Sequence, residues 1–109
     1  MISYADFEKI DMRIGTILEA KPFPKAKKPA YQLVIDFGQL GTRQSSAQIT
    51  AHYSPEELTG KQVIAVVNFP PKQIANFFSE CLVLGVYDSN GQVVLLQPGK
   101  KVENGDKIG

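Results

Sequence analysis

The chain has little of what most site chemistries need. Of its 109 residues, one is cysteine and one is histidine. A single thiol, Cys81, allows no internal disulfide and excludes a metal centre built on paired thiolates. It opens the apolar run to Val86, where a small buried side chain is expected rather than a nucleophile. His52 lies in Thr50-Ala51-His52-Tyr53-Ser54 with only Glu56 and Glu57 nearby in sequence. Those acids belong to the first turn of an expected helix, where the helix dipole already favours them, so no metal or catalytic role is assigned to His52. Ser45 and Ser46 have no nucleophile elbow around them, and no glycine-rich phosphate loop precedes a helix. The expectation is a protein that is not an enzyme and that uses no cofactor and no metal. No apolar run approaches the roughly 20 residues needed to cross a bilayer. Met1-Ile2-Ser3-Tyr4-Ala5-Asp6 lacks the basic start and apolar centre of a signal peptide. A cytoplasmic protein without membrane insertion is therefore expected. Internal repeats and low-complexity runs are absent.

Net charge is also small, +1 from 12 basic and 11 acidic residues, far from the balance of a dedicated nucleic-acid binder. The average conceals a gradient. From Ala20 to Ser79 seven bases (Lys21, Lys25, Lys27, Lys28, Arg43, Lys61, Lys72) face three acids (Asp36, Glu56, Glu57), a net of +4, and both flanks are net acidic. Four of the lysines crowd into Lys21-Pro22-Phe23-Pro24-Lys25-Ala26-Lys27-Lys28-Pro29, a proline-rich loop that cannot form a helix and should hold its charges outward. Such a cluster is either plain solvated surface or a contact for a polyanion.

The length fits one domain, residues 1–109, with a small core. Ser3-Tyr4-Ala5-Asp6 resembles a capping box with Asp in place of Glu, which predicts a short helix over 4–9 with Tyr4 and Phe7 on one side. Such a helix cannot stand alone, so its aromatics must pack on the domain or on another chain. Residues 12–20 alternate as a half-buried strand, with Met12, Ile14, Thr16 and Leu18 on one face, and Gly15 could allow it to bend. Tyr31, Leu33, Ile35 and Phe37 mark a second strand, Gly38 to Gly41 a turn, and 42–49 a more polar third strand. Ser54-Pro55-Glu56-Glu57 starts a helix that Gly60 stops. Strands over 62–68, 81–87 and 92–97 follow, the last two joined by an Asn90-Gly91 turn, and Asn104-Gly105 makes another. Three strands, a short helix, then two or more strands is the layout of the OB-fold, an all-β five-stranded barrel with its helix between strands 3 and 4; a generic small β-barrel is the alternative.

The most informative stretch runs from Val67 to Glu80. It places Phe69, Phe77 and Phe78, a Pro70-Pro71 pair and Lys72 between two apolar runs. The prolines fix φ and remove two donors, so a stiff surface loop is expected, presenting apolar side chains with a cationic rim. At least one of the phenylalanines should instead cap the core.

Four ordered blocks carry a family resemblance over nearly the whole chain: Asp6 to Ile17, Arg43 to Thr50, Tyr53 to Val63, and Asn68 to Leu84. The chain resembles the free-standing tRNA-binding-domain proteins, and within them the CsaA group of export-related chaperones. The resemblance implies an OB-fold homodimer in which the N-terminal helix, with Tyr4 and Phe7, contributes to the subunit contact. It implies a nucleotide-independent chaperone that binds unfolded or preprotein polypeptides through an apolar groove, with Phe69, Pro71, Ile74, Phe77 and Phe78 as peptide-binding candidates, and that is a possible partner of the export translocation motor. The alternative is a structure-specific tRNA-binding protein. Family members that bind RNA carry an Asn, a Pro-Arg/Lys pair and a later Ser after the fourth strand, matched here by Asn68, Pro71, Lys72 and Ser79. With Lys25, Lys27, Lys28 and Arg43 these are the polar candidates for RNA or client. Departures are Ser45-Ser46-Ala47-Gln48-Ile49 in the third strand, where those members show Val-Ser-Gly-Ile, and Gln73, where they often have a second base.

Overall fold

A computed structural model describes residues 1–109. Nine strands and two short helices follow one another as α1 (Tyr4–Glu8), β1 (Met12–Pro22), β2 (Tyr31–Asp36), β3 (Thr42–Ala47), α2 (Pro55–Leu58), β4 (Gln62–Val66), β5 (Lys72–Ile74), β6 (Phe77–Ser79), β7 (Leu82–Val83), β8 (Gly85–Tyr87) and β9 (Val93–Leu95), with a 3-10 turn at Gly38–Leu40. Five of the strands form one antiparallel sheet in the order β3-β2-β1-β4-β7. The other four pair as two hairpins, β5 with β6 and β8 with β9.

The sheet curls until residues 78–81 lie along the free edge of β3. Glu80 N–H donates to the Gln44 carbonyl at 2.8 Å. The remaining bonds use side chains: Gln44 N–H donates to Glu80 Oε1 (3.0 Å), Ser46 N–H to Ser79 Oγ (3.1 Å), and Ser45 Oγ to the Cys81 carbonyl (3.0 Å). The barrel is thus nearly closed, partly by side chains standing in for a ladder. With its helix between the third and fourth barrel strands, this is the OB-fold.

The core follows from the alternation in β2, where Leu33 and Ile35, and Phe37 just beyond, point inward and are fully buried with Ile17, Leu58 and Val63. β1 departs from the simple expectation. Its register shifts between Ile17 and Glu19, so Leu18 turns out to solvent at 49% exposure while Ile17 stays inside. The irregularity falls at Leu18, not at Gly15. Gly15 has another cause: a Cβ there would lie 2.6 Å from Ile35 Cγ2 and 2.7 Å from the Phe37 ring. Ile14, on the opposite face, is buried beneath the C-terminal segment, where its N–H donates to the Asp106 carbonyl and its carbonyl accepts from Gly105 N–H.

Two further expectations are corrected. The strand expected over 81–87 is split. Leu84 N–H donates to Ile64 in the barrel while its carbonyl accepts from Leu96 N–H, so the chain leaves β4 there and pairs onward with β9. The lysine loop begins later than expected, because β1 runs to Pro22 and carries Lys21.

Both capping boxes form. Ser3 Oγ accepts from Asp6 N–H, and Ser54 Oγ accepts from Glu57 N–H while Ser54 N–H donates to Glu57 Oε1 at 2.7 Å. α2 seats Leu58 in the core, so its cap stabilises the barrel as well as the helix. Ser54→Ala is expected to cost about 1 kcal/mol, a fall of roughly 4–8 °C in Tm by circular dichroism. An unchanged melting curve would show that α2 holds its place by packing alone.

Candidate binding groove

The segment read as a loop after β4 is a hairpin. β5 and β6 pair Lys72 with Ser79, Gln73 with Phe78 and Ile74 with Phe77, turning through Ala75, which takes a left-handed φ of +54°. Pairing explains why the sequence misled: the polar and proline content of Phe69 to Gln73 hid a three-residue strand whose partner reads as part of the same aromatic run.

Strand alternation then separates the aromatics. Phe77 points inward and packs on Phe23 (centroids 5.3 Å apart) and Ala30, forming a small second core apart from the barrel's. At 9% exposure Phe77 is withdrawn from any ligand, which corrects its assignment as a peptide contact. Phe69 and Phe78 stay out, at 55% and 51%. Through Phe23 the same small core seats the Pro24–Pro29 loop against the hairpin.

Between the hairpin, the end of β3 and the β8–β9 hairpin lies a groove of about 650 Å³. Its apolar floor and walls include Ile49, Ile74, Leu82, Val83, Tyr87 and Val93. A second hollow of about 280 Å³, bounded by Phe69 and Pro70, shares Lys72, Ser79, Cys81 and Leu82 with it, so the two adjoin. Lys28 and Lys72 line the groove and no acidic residue does. Neither lysine takes part in an ion pair; the three in the chain are Lys9–Asp6, Arg13–Asp11 and His52–Asp88. Lys25 and Lys27 are exposed in the adjoining loop. The result is an apolar trough with a cationic rim, open to solvent.

A family model described as "Putative tRNA binding domain" matches residues 12–107. The chain belongs to the tRNA-binding-domain family. It is 55% identical to a chaperone CsaA of Bacillus anthracis str. Ames, with a TM-score of 0.95 over 100% of this chain and 99% of the other. It is 57% identical to a CsaA chaperone protein of Picrophilus torridus, with a TM-score of 0.94 over the full length of both. Among longer relatives, a methionine–tRNA ligase of Bacteroides fragilis is 39% identical over 107 residues, 98% of this chain and 16% of the ligase. The chain thus spans about one-sixth of the length of such curated relatives.

In this tRNA-binding-type domain, three of the polar residues assigned from sequence are engaged in holding the barrel. Arg43 Nη1 donates to the Val67 carbonyl. Asn68 uses both ends of its amide, accepting from Asp11 N–H at 3.0 Å and donating to the Lys9 carbonyl at 2.7 Å, and so ties the exit of α1 to the end of β4. Ser79 Oγ accepts from Ser46 N–H and donates to Cys81 O. Asn68 and Ser79, the two motif residues among them, thus have structural work in the barrel, and free cationic character rests with the lysines. Ile74 lines the groove, and Pro71 is exposed beside it. Ile49, Leu82, Tyr87 and Val93 were missed as lining residues, since in the sequence they look like ordinary apolar strand positions.

Tyr4 and Phe7 lie elsewhere. Their rings meet edge to face at 6.2 Å, and with Ile10 and Ile108 they line a separate hollow of about 230 Å³. His52 Nε2 sits 2.7 Å from Asp88 Oδ2, joining the segment after β3 to the β8–β9 turn, and this bond together with Gln92 N–H holds the Asp88 carboxyl below its usual range.

Cys81 lines the groove from a buried position, and burial pushes its thiol up to about 11 from 9.0. Near pH 8 it should carry about a hundredfold less thiolate than an exposed cysteine. Alkylation by iodoacetamide should accordingly be slow in the native protein and fast in denaturant; equal rates would contradict the buried placement.

Proposed function

We propose that the protein is a nucleotide-independent chaperone that holds unfolded or export-bound polypeptides in the groove between the β5–β6 and β8–β9 hairpins. The observation that carries this reading is the groove itself: apolar walls, two unpaired lysines, no acid, and an adjoining hollow beside Phe69. No nucleotide-binding loop accompanies it, so the work is holding, in competition with client aggregation. Similarity to two solved CsaA chaperones over the whole chain supports the same reading.

The protein is further proposed to act in the cytoplasm as a homodimer, in contact with the export translocation motor. Exposed Tyr4 and Ile10 lining the α1 hollow, with exposed Met1 and Ile2 just before the helix in sequence, support a subunit contact there. A two-fold pair would present the groove twice and let one extended client engage both copies.

A second reading, structure-specific tRNA binding, is favoured by the unpaired Lys25, Lys27, Lys28 and Lys72 around the same groove and by the family to which the chain belongs. OB barrels bind chain-like ligands of both kinds, so the ligand is decided by the site. Fluorescence anisotropy with a labelled unfolded peptide and labelled tRNA, each at low and near-physiological salt, separates them. The chaperone reading expects saturable, salt-tolerant peptide binding. Salt-resistant tRNA binding without peptide binding would replace it. Under the first reading Phe69→Ala should weaken the peptide about 10-fold or more, the equivalent of about 1.5–3 kcal/mol of apolar contact, with little change for tRNA; equal losses for both ligands would sink that assignment.

A further inference from the structure

The groove is also a gap between two strand edges. In the β2–β3 ladder, Phe37 N–H donates to the Gly41 carbonyl. With the register Ile35↔Arg43, Leu33↔Ser45 and Tyr31↔Ala47, those residues of β3 bond to β2, and the backbone groups of Gln44 and Ser46 point away. Gln44 and the N–H of Ser46 are met by Glu80 and Ser79. Beyond them closure stops. The Ser46 carbonyl receives only a long 3.4 Å bond from Ser45 Oγ. Gln48 continues the alternation, exposed between buried Ala47 and Ile49, and neither its N–H nor its carbonyl has a protein partner.

The opposite wall has the same property. Leu84 N–H donates to Ile64 O, so with Val66↔Leu82 and Ala65↔Val83 the backbone groups of Val83 turn away from β4 and toward the groove. Ser46, Gln48, Leu82 and Val83 all line it. Every strand pair from β3 through β2, β1 and β4 to β7 is antiparallel, so β3 and β7 run in the same direction. One strand inserted between them would be antiparallel to both and would complete an antiparallel barrel.

From this we infer that the groove takes an extended, acid-bearing segment of an unfolded polypeptide as an added β-strand, bonded through its backbone to Ser46 and Gln48 on one side and to Val83 on the other. This rests on the polypeptide-holding function proposed above and names the form in which the client is held. Backbone pairing is indifferent to side chains, which suits a holder of many sequences, while alternate side chains of the segment meet Ile49, Leu82 and Tyr87. Charge complementarity fixes the preferred composition: Lys28 and Lys72 line the groove unopposed, so a carboxylate on the segment finds a partner at either. Unpaired edges of this kind otherwise invite association between copies, and here they are recessed in a groove.

The test uses the full-length protein and an unstructured peptide alternating valine with aspartate. Amide hydrogen exchange followed by NMR should show the N–H groups of Gln48 and Val83 slowed at least about tenfold in the complex. N-methylation of the central peptide residues should weaken binding at least about fivefold, since each methyl removes a backbone donor that would pair with a strand edge. Gln48→Pro, which removes one edge N–H at a position where proline is tolerated, should weaken binding, and Gln48→Ala should not. Saturable binding with unchanged exchange at Gln48 and Val83, and with equal affinity for the methylated peptide, would overturn strand insertion while leaving polypeptide holding intact. Saturable tRNA binding with no peptide binding would overturn both.

Discussion

Phe37→Ala is expected to lower the unfolding free energy by about 3–5 kcal/mol, the range for emptying a buried aromatic site. The upper half of that range is favoured by what surrounds the ring. Phe37 is fully buried at the end of β2, and its neighbour across the barrel wall is Gly15, which has no side chain to move into the space. Gly15 is itself fixed by the ring, since a Cβ there would lie 2.7 Å from two of its atoms. The backbone of Phe37 is committed as well: its N–H bonds to Gly41 O, and a Cβ on Gly105 would lie 2.7 Å from its carbonyl oxygen. Urea unfolding should show a lower midpoint with an unchanged slope, the sign of lost stability rather than an altered denatured state. A loss below about 1.5 kcal/mol would mean that the site collapses more freely than its neighbours suggest.

Reversing the rim of the groove should have the largest effect on binding. Lys28→Glu/Lys72→Glu is expected to weaken tRNA at least about tenfold at low salt and to flatten the plot of log affinity against log salt by roughly 1.5 to 2, because two phosphate contacts are lost. Both lysines are exposed and neither is in an ion pair, so the fold should be unaffected. An acidic peptide should weaken comparably, and a neutral peptide of the same length should change little. Anisotropy titrations across a salt series measure all three. An unchanged salt slope would move the anion contacts to Lys25 and Lys27, and equal losses for acidic and neutral peptides would remove the charge argument altogether.

How much of this was legible in the sequence depended on whether a signal was local. The capping boxes at Ser3 and Ser54 were, because a cap needs only residues three apart. So were the inward face of β2 and the turn at Gly91, and the strand-helix-strand order was enough to name the barrel. The bulge at Leu18 was not, since it is a shift of register against β2, a partner strand that lies beyond the lysine loop. The hairpin within Val67 to Glu80 was hidden because its strands are three residues each and one begins beside Pro71. Arg43, Asn68 and Ser79 look like free polar side chains until the residues they bind, 24, 57 and 33 positions away, are brought alongside. The cations were readable as a cluster, but which of them border an acid-free groove depended on how Phe23 folds the loop back.

That inward Phe23 has a dynamic consequence. It and Phe77 belong to a core that shares no residue with the main one, so the lysine loop and the β5–β6 hairpin form a jaw with its own packing. Local opening costs as much as the contacts it breaks, and those between loop and hairpin are few: Phe23, Ala30 and Phe77, with Ala26 and Ile74 against them. The hairpin is pinned to β3 through the Phe78 carbonyl, Ser79 and Glu80, so the lysine loop is the side that lifts more cheaply while the barrel keeps its shape. Parting Phe23 from Phe77 would move the wall that carries Lys28 and leave Lys72 in place, so the width of the trough is set by a single aromatic contact.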